Sequence, residues 1–268
     1  MGKSFGFIGT GNMGGALATA AAQIMSPEDI YLNNRTMAKA EALAEKLGCK
    51  TASAEFIAAN CDYIFLGVKP QMMAGMLSSI SETLSSRNDY FVLVSMAGGL
   101  TMAEIRTMAG ADYPVIRIMP NTPVSVGCGL IQYDKTENVS VDALESFLSN
   151  MAWAGILDPL HETLIDAGSA LAGSGPAFAD MFIEALADGG VACGLPRVKA
   201  MVYAAQMLQG AARLMLESGK HPGELKDAVC SPGGSTIVGV RTLEQRGFRA
   251  ACMEAVEATF RRSKELGK

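Results

Sequence analysis

At 268 residues with a formal net charge of −5, the chain has room for one large or two modest domains and holds no block of like charge. Apolar residues make up 49% and charged residues 18%, enough to bury a sizeable core, which excludes a disordered chain. A sequence pI near 5.2 argues against nucleic acid or an anionic membrane as main partner, and no stretch nears the ~18 apolar residues of a membrane span.

Residues 4–9 are short, apolar and aromatic and end in glycine, which predicts a buried strand. Residues 11–25 are Ala-rich with Pro27 just beyond, the pattern of a helix. A second strand follows over 30–32, then a helix over 38–47 that Gly48 would cap. Strands are expected at 63–68 and 90–95, with a helical stretch from about Met72 to Leu84 between them. Thr101 and Glu104 have capping-box spacing and open another helix, and 114–119 is the next strand. This alternation predicts a Rossmann-type, doubly wound parallel sheet. After about Asp158 the strand-like runs stop. Residues 161–268 read as helical, with breaks at 173–176, 194–196, 219–222 and 231–234. The expected division is a dinucleotide-binding domain over 1–160 and an all-helical domain over 161–268.

The six cysteines, Cys49, Cys61, Cys128, Cys193, Cys230 and Cys252, form no CxxC pair, and the two histidines, His161 and His221, lie far apart. No metal site and no disulfide framework are expected. One early lysine precedes the first strand without a signal-peptide pattern, so the expectation is a soluble, cytoplasmic protein.

Ile8 leads into Gly9-Thr10-Gly11-Asn12-Met13-Gly14, a G-x-G-x-x-G motif between a strand and a helix. Gly9 allows the tight turn, Gly11 lets the backbone approach a pyrophosphate, and Gly14 lets helix and strand pack closely. The helix start offers its N–H groups to the anion. The end of the second strand, where NAD sites place an acid, reads Asn33-Asn34-Arg35-Thr36. A carboxylate would repel a 2′-phosphate, whereas Arg35 and the Asn34 amide attract one, so NADP(H) is preferred over NAD(H).

Val68-Lys69-Pro70 and Met119-Pro120-Asn121-Thr122-Pro123 end strands at the carboxyl edge, where ligands bind in open α/β sheets. The prolines around Asn121 stiffen its loop. Later, Ala172-Gly173-Ser174-Gly175-Pro176 interrupts a helical pattern, and Ser231-Pro232-Gly233-Gly234-Ser235-Thr236 makes a second glycine-rich turn. Successive N–H groups at such a turn cradle an anion without Arg or Lys, which suits a carboxylate substrate.

The segments GFIGTGNMGGAL, FLGVKPQ, VIRIMPNTP, DAGSALAGSGPAF, ALADGGVACGLPR and LKDAVCSPGGSTIVGVRTLE resemble the pyrroline-5-carboxylate reductase family along essentially the whole chain. The resemblance implies hydride transfer from a nicotinamide to the C=N carbon of 1-pyrroline-5-carboxylate, giving L-proline in the last step of proline biosynthesis. It implies a homodimer or higher homo-oligomer paired through the helical domain. Thr236 corresponds to the threonine that hydrogen-bonds the ring nitrogen. Ser235 with the preceding glycines, Gly233 and Gly234, holds the carboxylate, and Glu162 falls at a substrate-linked position. Asn34, Asn60, Lys69, Pro70, Ala97 and Gly98 fall at nucleotide-contacting positions. Some relatives carry Glu in place of Gly219 and Asn in place of Ala228. A protonated imine is already electrophilic, so the reaction asks mainly for orientation and not for a metal or strong acid.

Two other readings compete. A 3-hydroxy-acid-type dehydrogenase would need a lysine just after the glycine turn, and the residues around Phe178 and Ala179 supply none. A non-catalytic NADP(H)-binding sensor would keep the first glycine loop but have no use for the cradle at 231–236.

Overall fold

The computed structural model describes residues 3–266. The chain runs β1 (Phe5–Ile8), α1 (Asn12–Ala21), β2 (Ile30–Asn33), α2 (Met37–Leu47), β3 (Lys50–Thr51), α3 (Ala54–Asn60), β4 (Tyr63–Leu66), α4 (Pro70–Ser85), β5 (Val92–Ser95), α5 (Met102–Ala109) and β6 (Val115–Pro120). It continues through β7 (Gly129–Lys135), α6 (Val141–Met151), β8 (Gly155–Pro159) and α7 (Glu162–Gly168). The remaining helices are α8 (Gly175–Ala192), α9 (Arg197–Ser218), α10 (Pro222–Ala228), α11 (Ser235–Gln245) and α12 (Phe248–Leu266).

The eight strands form one sheet in the order β3-β2-β1-β4-β5-β6-β7-β8. All neighbours pair in parallel except β6 and β7, which run antiparallel in the register Arg117↔Asp134 and Met119↔Gln132. The Rossmann-type core is as expected, but the fully parallel sheet is corrected by this one antiparallel step. The stretch 121–158, where the sequence predicts no element, supplies β7, α6 and β8. Short elements β3 and α3 also went unread, and α1 stops at Ala21 rather than reaching residue 25.

Alternation along each strand builds two cores, one per face. Phe5, Phe7, Tyr63, Phe65, Val92, Val94, Ile116 and Ile118 point to a face covered by α1, α2 and α6. Ile8, Ile64, Leu66, Leu93 and Val115 point to the other, covered by α3, α4 and α5. The rings of Phe7 and Phe65 stack at 4.2 Å, and Tyr63 Oη donates to the Ala143 carbonyl at 2.7 Å, fastening α6 to the sheet. Gly48 and Gly110 close α2 and α5 in left-handed conformation, as the first was expected to. Thr101 and Glu104 form the full capping box at the start of α5.

The chain divides into two compact units, residues 1–174 with 260–268, and residues 175–259. The last strand ends at Pro159, close to the expected boundary at 160, but the division into units comes at 174. The cause is α7, whose Ile165 is buried and whose acids pair with Arg117 of β6. From Ser169 to Gly173 the helical winding widens to a π-turn, closed by Ser174 N donating to the Ser169 carbonyl at 3.1 Å. The second unit is wholly helical. Its buried core is small, with Ala187, Ala200 and Ala204 at its centre and Ile183, Leu186 and Val191 packed against them.

Candidate active site

In the first unit, the ends of β1, β2, β4, β5 and β6 bring most of the expected dinucleotide residues to one sheet edge. Gly9 turns the chain with φ +105°, and its N–H and that of Thr10 both donate to the Asn33 carbonyl at 3.0 Å. A side chain on Gly9 would strike the Gly67 carbonyl group and Val68 N at 2.6–2.9 Å, so the β1 and β4 turns lie backbone to backbone. Gly14 faces the Gly9 carbonyl just as closely, which leaves no room for a larger residue. Gly11 differs, because a Cβ there would meet no protein atom within 4 Å. Its lack of a side chain serves nothing in the protein's own packing and leaves a cradle that a methyl would fill. Gly11 is also the N-cap of α1, without a capping side chain and with no acid in the first turn, where Asn12 and Met13 lie. That donor set fits a pyrophosphate.

Two cavities lie along this sheet edge. One of about 400 Å³ is lined by Ile8, Gly9, Asn33, Arg35 and Val68 together with α4 residues such as Met72 and Gly75. Arg35 is exposed, and no carboxylate among the described residues pairs with it. Asn34 has a different task from the one expected. Its Nδ2 donates to the Thr10 carbonyl at 3.0 Å and its Oδ1 accepts from Thr36 N at 3.3 Å, bracing the glycine turn against the β2 turn. The second cavity, about 220 Å³, is lined by Pro70, Gln71, Gly98, Gly99, Met119, Asp166, Ser169 and, from α12, Ser263. Gln71 borders both cavities, so α4 forms a continuous wall from β2 to β6. Lys69, exposed, is the N-cap of that helix, while Ala97 is buried in the core with only its backbone near the edge.

Three expectations are corrected by position or bonding. Asn60 closes α3 just before β4, its Nδ2 donating to Phe56 O at 2.8 Å, and Ser4 Oγ donates to its carbonyl at 3.5 Å. It therefore lies at the amino edge of the sheet, a strand length of about 13 Å from the glycine turn, and leaves the nucleotide set. Ala54, at the other end of α3, lines the larger cavity instead. Asn121 has both amide groups engaged inside the protein: Nδ2 donates to the Ala172 carbonyl at 3.1 Å, and Oδ1 accepts from Leu130 N at 2.9 Å. It ties the β6 turn to the π-turn rather than presenting an amide to a ligand. Glu162 is likewise engaged. Its Oε1 accepts from Met102 N at 2.8 Å and from Arg117 Nη1 at 3.1 Å, so it caps α5 and pairs a buried arginine.

In the second unit, the turn before α11 has the geometry expected of an anion cradle. Gly233 adopts φ +69°, Gly234 N donates to Ser231 O at 3.0 Å, and a Cβ on Gly234 would collide with Ser231. Gly234 is the N-cap of α11, with no capping side chain and no acid in the first turn. Ser235 and Thr236 open the helix and are exposed. At the start of this unit, Gly175 has open space at its Cβ position, next to Ser174 at the close of the π-turn. Sequence reasoning missed Gln71, Met72, Gly75 and Asp166. They sit on helix faces whose exposure to a cavity depends on the sheet beneath.

No group of three or more His, Cys, Asp or Glu side chains among the described residues is placed to hold a metal ion. None of the described helices is long and apolar enough to cross a membrane.

A family model described as pyrroline-5-carboxylate reductase dimerisation matches residues 162–266, and one described as NADP oxidoreductase, coenzyme F420-dependent, matches residues 4–99. The pyrroline-5-carboxylate reductase of Escherichia coli (strain K12) is 40% identical over 272 residues, covering 100% of both chains. Among solved structures, a pyrroline-5-carboxylate reductase from Coxiella burnetii superimposes with a TM-score of 0.89 at 31% identity, covering 100% of each chain. The pyrroline carboxylate reductase of Plasmodium falciparum, solved with NADP bound, gives 0.85 at 32% identity over 99% of this chain and 98% of that one.

Proposed function

The chain belongs to the pyrroline-5-carboxylate reductase family, and on that premise we infer how its residues divide the work of reducing 1-pyrroline-5-carboxylate to L-proline. The bound cofactor, NADPH in preference to NADH, supplies a hydride to the imine carbon, while the ring nitrogen carries the proton that makes that carbon electrophilic. The observation that carries the cofactor assignment is the open cradle at Gly11 together with an exposed Arg35 that meets no acid among the described residues. Gly11, Asn12, Met13 and Gly14 take the pyrophosphate through the N–H groups at the start of α1, and Gly9, whose own N–H is given to the Asn33 carbonyl, makes the turn that brings them to it. Arg35 takes the 2′-phosphate, with Asn34 holding the turn that carries it. Ile8, Val68, Lys69, Pro70, Ala97 and Gly98 line the path of the dinucleotide along the sheet edge.

For the substrate, the N–H groups of Gly233 and Ser235 receive the carboxylate at the start of α11, while Gly234, whose own N–H is given to the Ser231 carbonyl, shapes the turn. The Thr236 hydroxyl reaches the ring nitrogen and fixes which face of the imine is offered. Ser174 and Gly175 complete the substrate set. Orientation of this kind is worth several kcal/mol of barrier, and an iminium substrate asks for little else.

The protein acts as a homo-oligomer. The second unit exposes Met181 at 70%, Val198 at 77%, Val202 at 59% and Leu216 at 65%, more apolar surface than a solvated bundle carries. A cytoplasmic location is part of this reading, and six unpaired cysteines fit a reducing compartment.

The direct test follows NADPH absorbance with pyrroline-5-carboxylate as substrate. Loss of one NADPH per proline formed is expected. Substrate-independent absorbance, with NADPH bound all the same, would return the protein to the sensor reading.

A further inference from the structure

Arg117 is 3% exposed and stands on β6 with buried Val115 two residues before it and Ser95 and Asp134 opposite it on the neighbouring strands. Its Nη1 pairs with Glu162 at 3.1 Å and its Nη2 with Asp166 at 3.1 Å, while Nε has no partner. A buried guanidinium with one donor orphaned is costly, and well-packed apolar residues often replace such ions without loss. Its partners indicate what it does. Glu162 is turned back to cap α5 through Met102 N, so that carboxylate serves the fold. Asp166 is 37% exposed at its side chain and lines the 220 Å³ cavity with Gly98, Met119 and Ser169. The π-turn that begins at Ser169 sets the adjoining wall, and windings of this kind recur at functional sites.

In a sheet of this order, the adenosine half of a dinucleotide lies over β1, β2 and β3, and the nicotinamide half over β4, β5 and β6. The smaller cavity is at that second half. The nicotinamide ring is neutral when reduced and cationic once the hydride has left. We propose that Asp166 is the specificity-determining carboxylate that distinguishes these two states, and that Arg117 is the positioning residue that holds it in the cavity wall. The carboxylate favours the oxidised ring and so stabilises charge as it develops during transfer. Arg117 acts only through Asp166, fixing one rotamer from below. This inference rests on the dinucleotide reading above and adds the group that senses redox state.

The experiment is a binding measurement without substrate. NADPH is titrated by fluorescence and NADP+ by competition, on the full chain and on Asp166→Asn, Arg117→Lys and Arg35→Ala. Asp166→Asn keeps shape and an acceptor for Arg117. It should weaken NADP+ relative to NADPH by about three- to ten-fold, the effect of one charge across a partly solvated cavity. Arg117→Lys, which reaches one carboxylate rather than two, should shift the ratio in the same direction by less. A merely structural arginine would lower Tm and leave the ratio where it was. Arg35→Ala should weaken both forms equally. An unchanged ratio in Asp166→Asn while Arg35→Ala weakens both overturns the inference and leaves the cofactor reading intact. If Arg35→Ala moves neither affinity, the cofactor reading fails and the inference falls with it.

Discussion

Two glycines separated by one residue should answer the same substitution in opposite ways. Gly9 sits at φ +105°, where an L side chain costs about 1–2 kcal/mol, and its Cβ would lie 2.6 and 2.7 Å from the Gly67 carbonyl carbon and oxygen. Ordinary contact begins near 3.4 Å. The β4 turn must therefore recede by several tenths of an ångström, adding about 1–3 kcal/mol of overpacking strain. Gly9→Ala should lose about 2–5 kcal/mol in all, roughly 4–20 °C in Tm at the ~2–4 °C per kcal/mol of a chain this size. Gly11 has φ −73° and ψ −162°, which alanine adopts freely, and an empty Cβ position. Gly11→Ala should melt within a few degrees of the parent protein. Its methyl, however, occupies the approach of the pyrophosphate, so NADPH affinity should fall at least ten-fold, or ~1.4 kcal/mol. Differential scanning fluorimetry and NADPH fluorescence titration separate the two effects. A Gly11→Ala protein that binds NADPH as tightly as the parent refutes the placement of the pyrophosphate at this turn.

Thr236→Val removes a hydroxyl from an exposed site and should slow turnover ~10- to 100-fold with Tm and NADPH affinity unchanged; early melting with normal turnover of the folded fraction would make the residue structural. Tyr63→Phe removes the second hydrogen bond to the Ala143 carbonyl, which keeps its helical partner, and chemical denaturation should register a loss of about 0.5–1.5 kcal/mol with activity per folded molecule intact. Hydrogen bonds from the Thr101 backbone and hydroxyl hold the Glu104 carboxyl below its ordinary pKa. Its contribution is therefore full above the usual carboxylate range and is lost as pH falls through the depressed value, so Glu104→Gln should flatten the acid limb of a Tm-against-pH curve. An unaltered acid limb would show that the capping box does not titrate with the fold.

The sequence made legible what depends on local pattern. The glycine turn, the apolar strands β1, β4 and β5, and the capping box at Thr101 each announce themselves within a few neighbouring residues. Strand β7 did not, because one of its faces carries Gln132, buried, and Asp134, half-buried, polar residues whose partners, Gly168 and the Glu162 N–H of α7, come from elsewhere in the chain. The roles of Asn121 and Glu162 hide for the same reason: their partners Ala172 and Met102 lie 51 and 60 residues away. Asn60 shows a further limit. A side chain one helix away from a strand can fall at either sheet edge, and composition alone does not tell α3's first turn from its last.

The slight interior of the second unit makes its folding a matter of encounter. Alanines at the centre of a bundle bury too little surface to offset the ordering of so many residues, so the exposed apolar faces must find a second chain before these helices become durable. During synthesis the strand-rich half emerges first and can settle alone, whereas the helical half waits for a neighbour. Melting temperature should then climb as the protein is concentrated. Where pairing is incomplete, catalytic output rises faster than the number of chains, and a damaged copy removes an intact one from service along with itself.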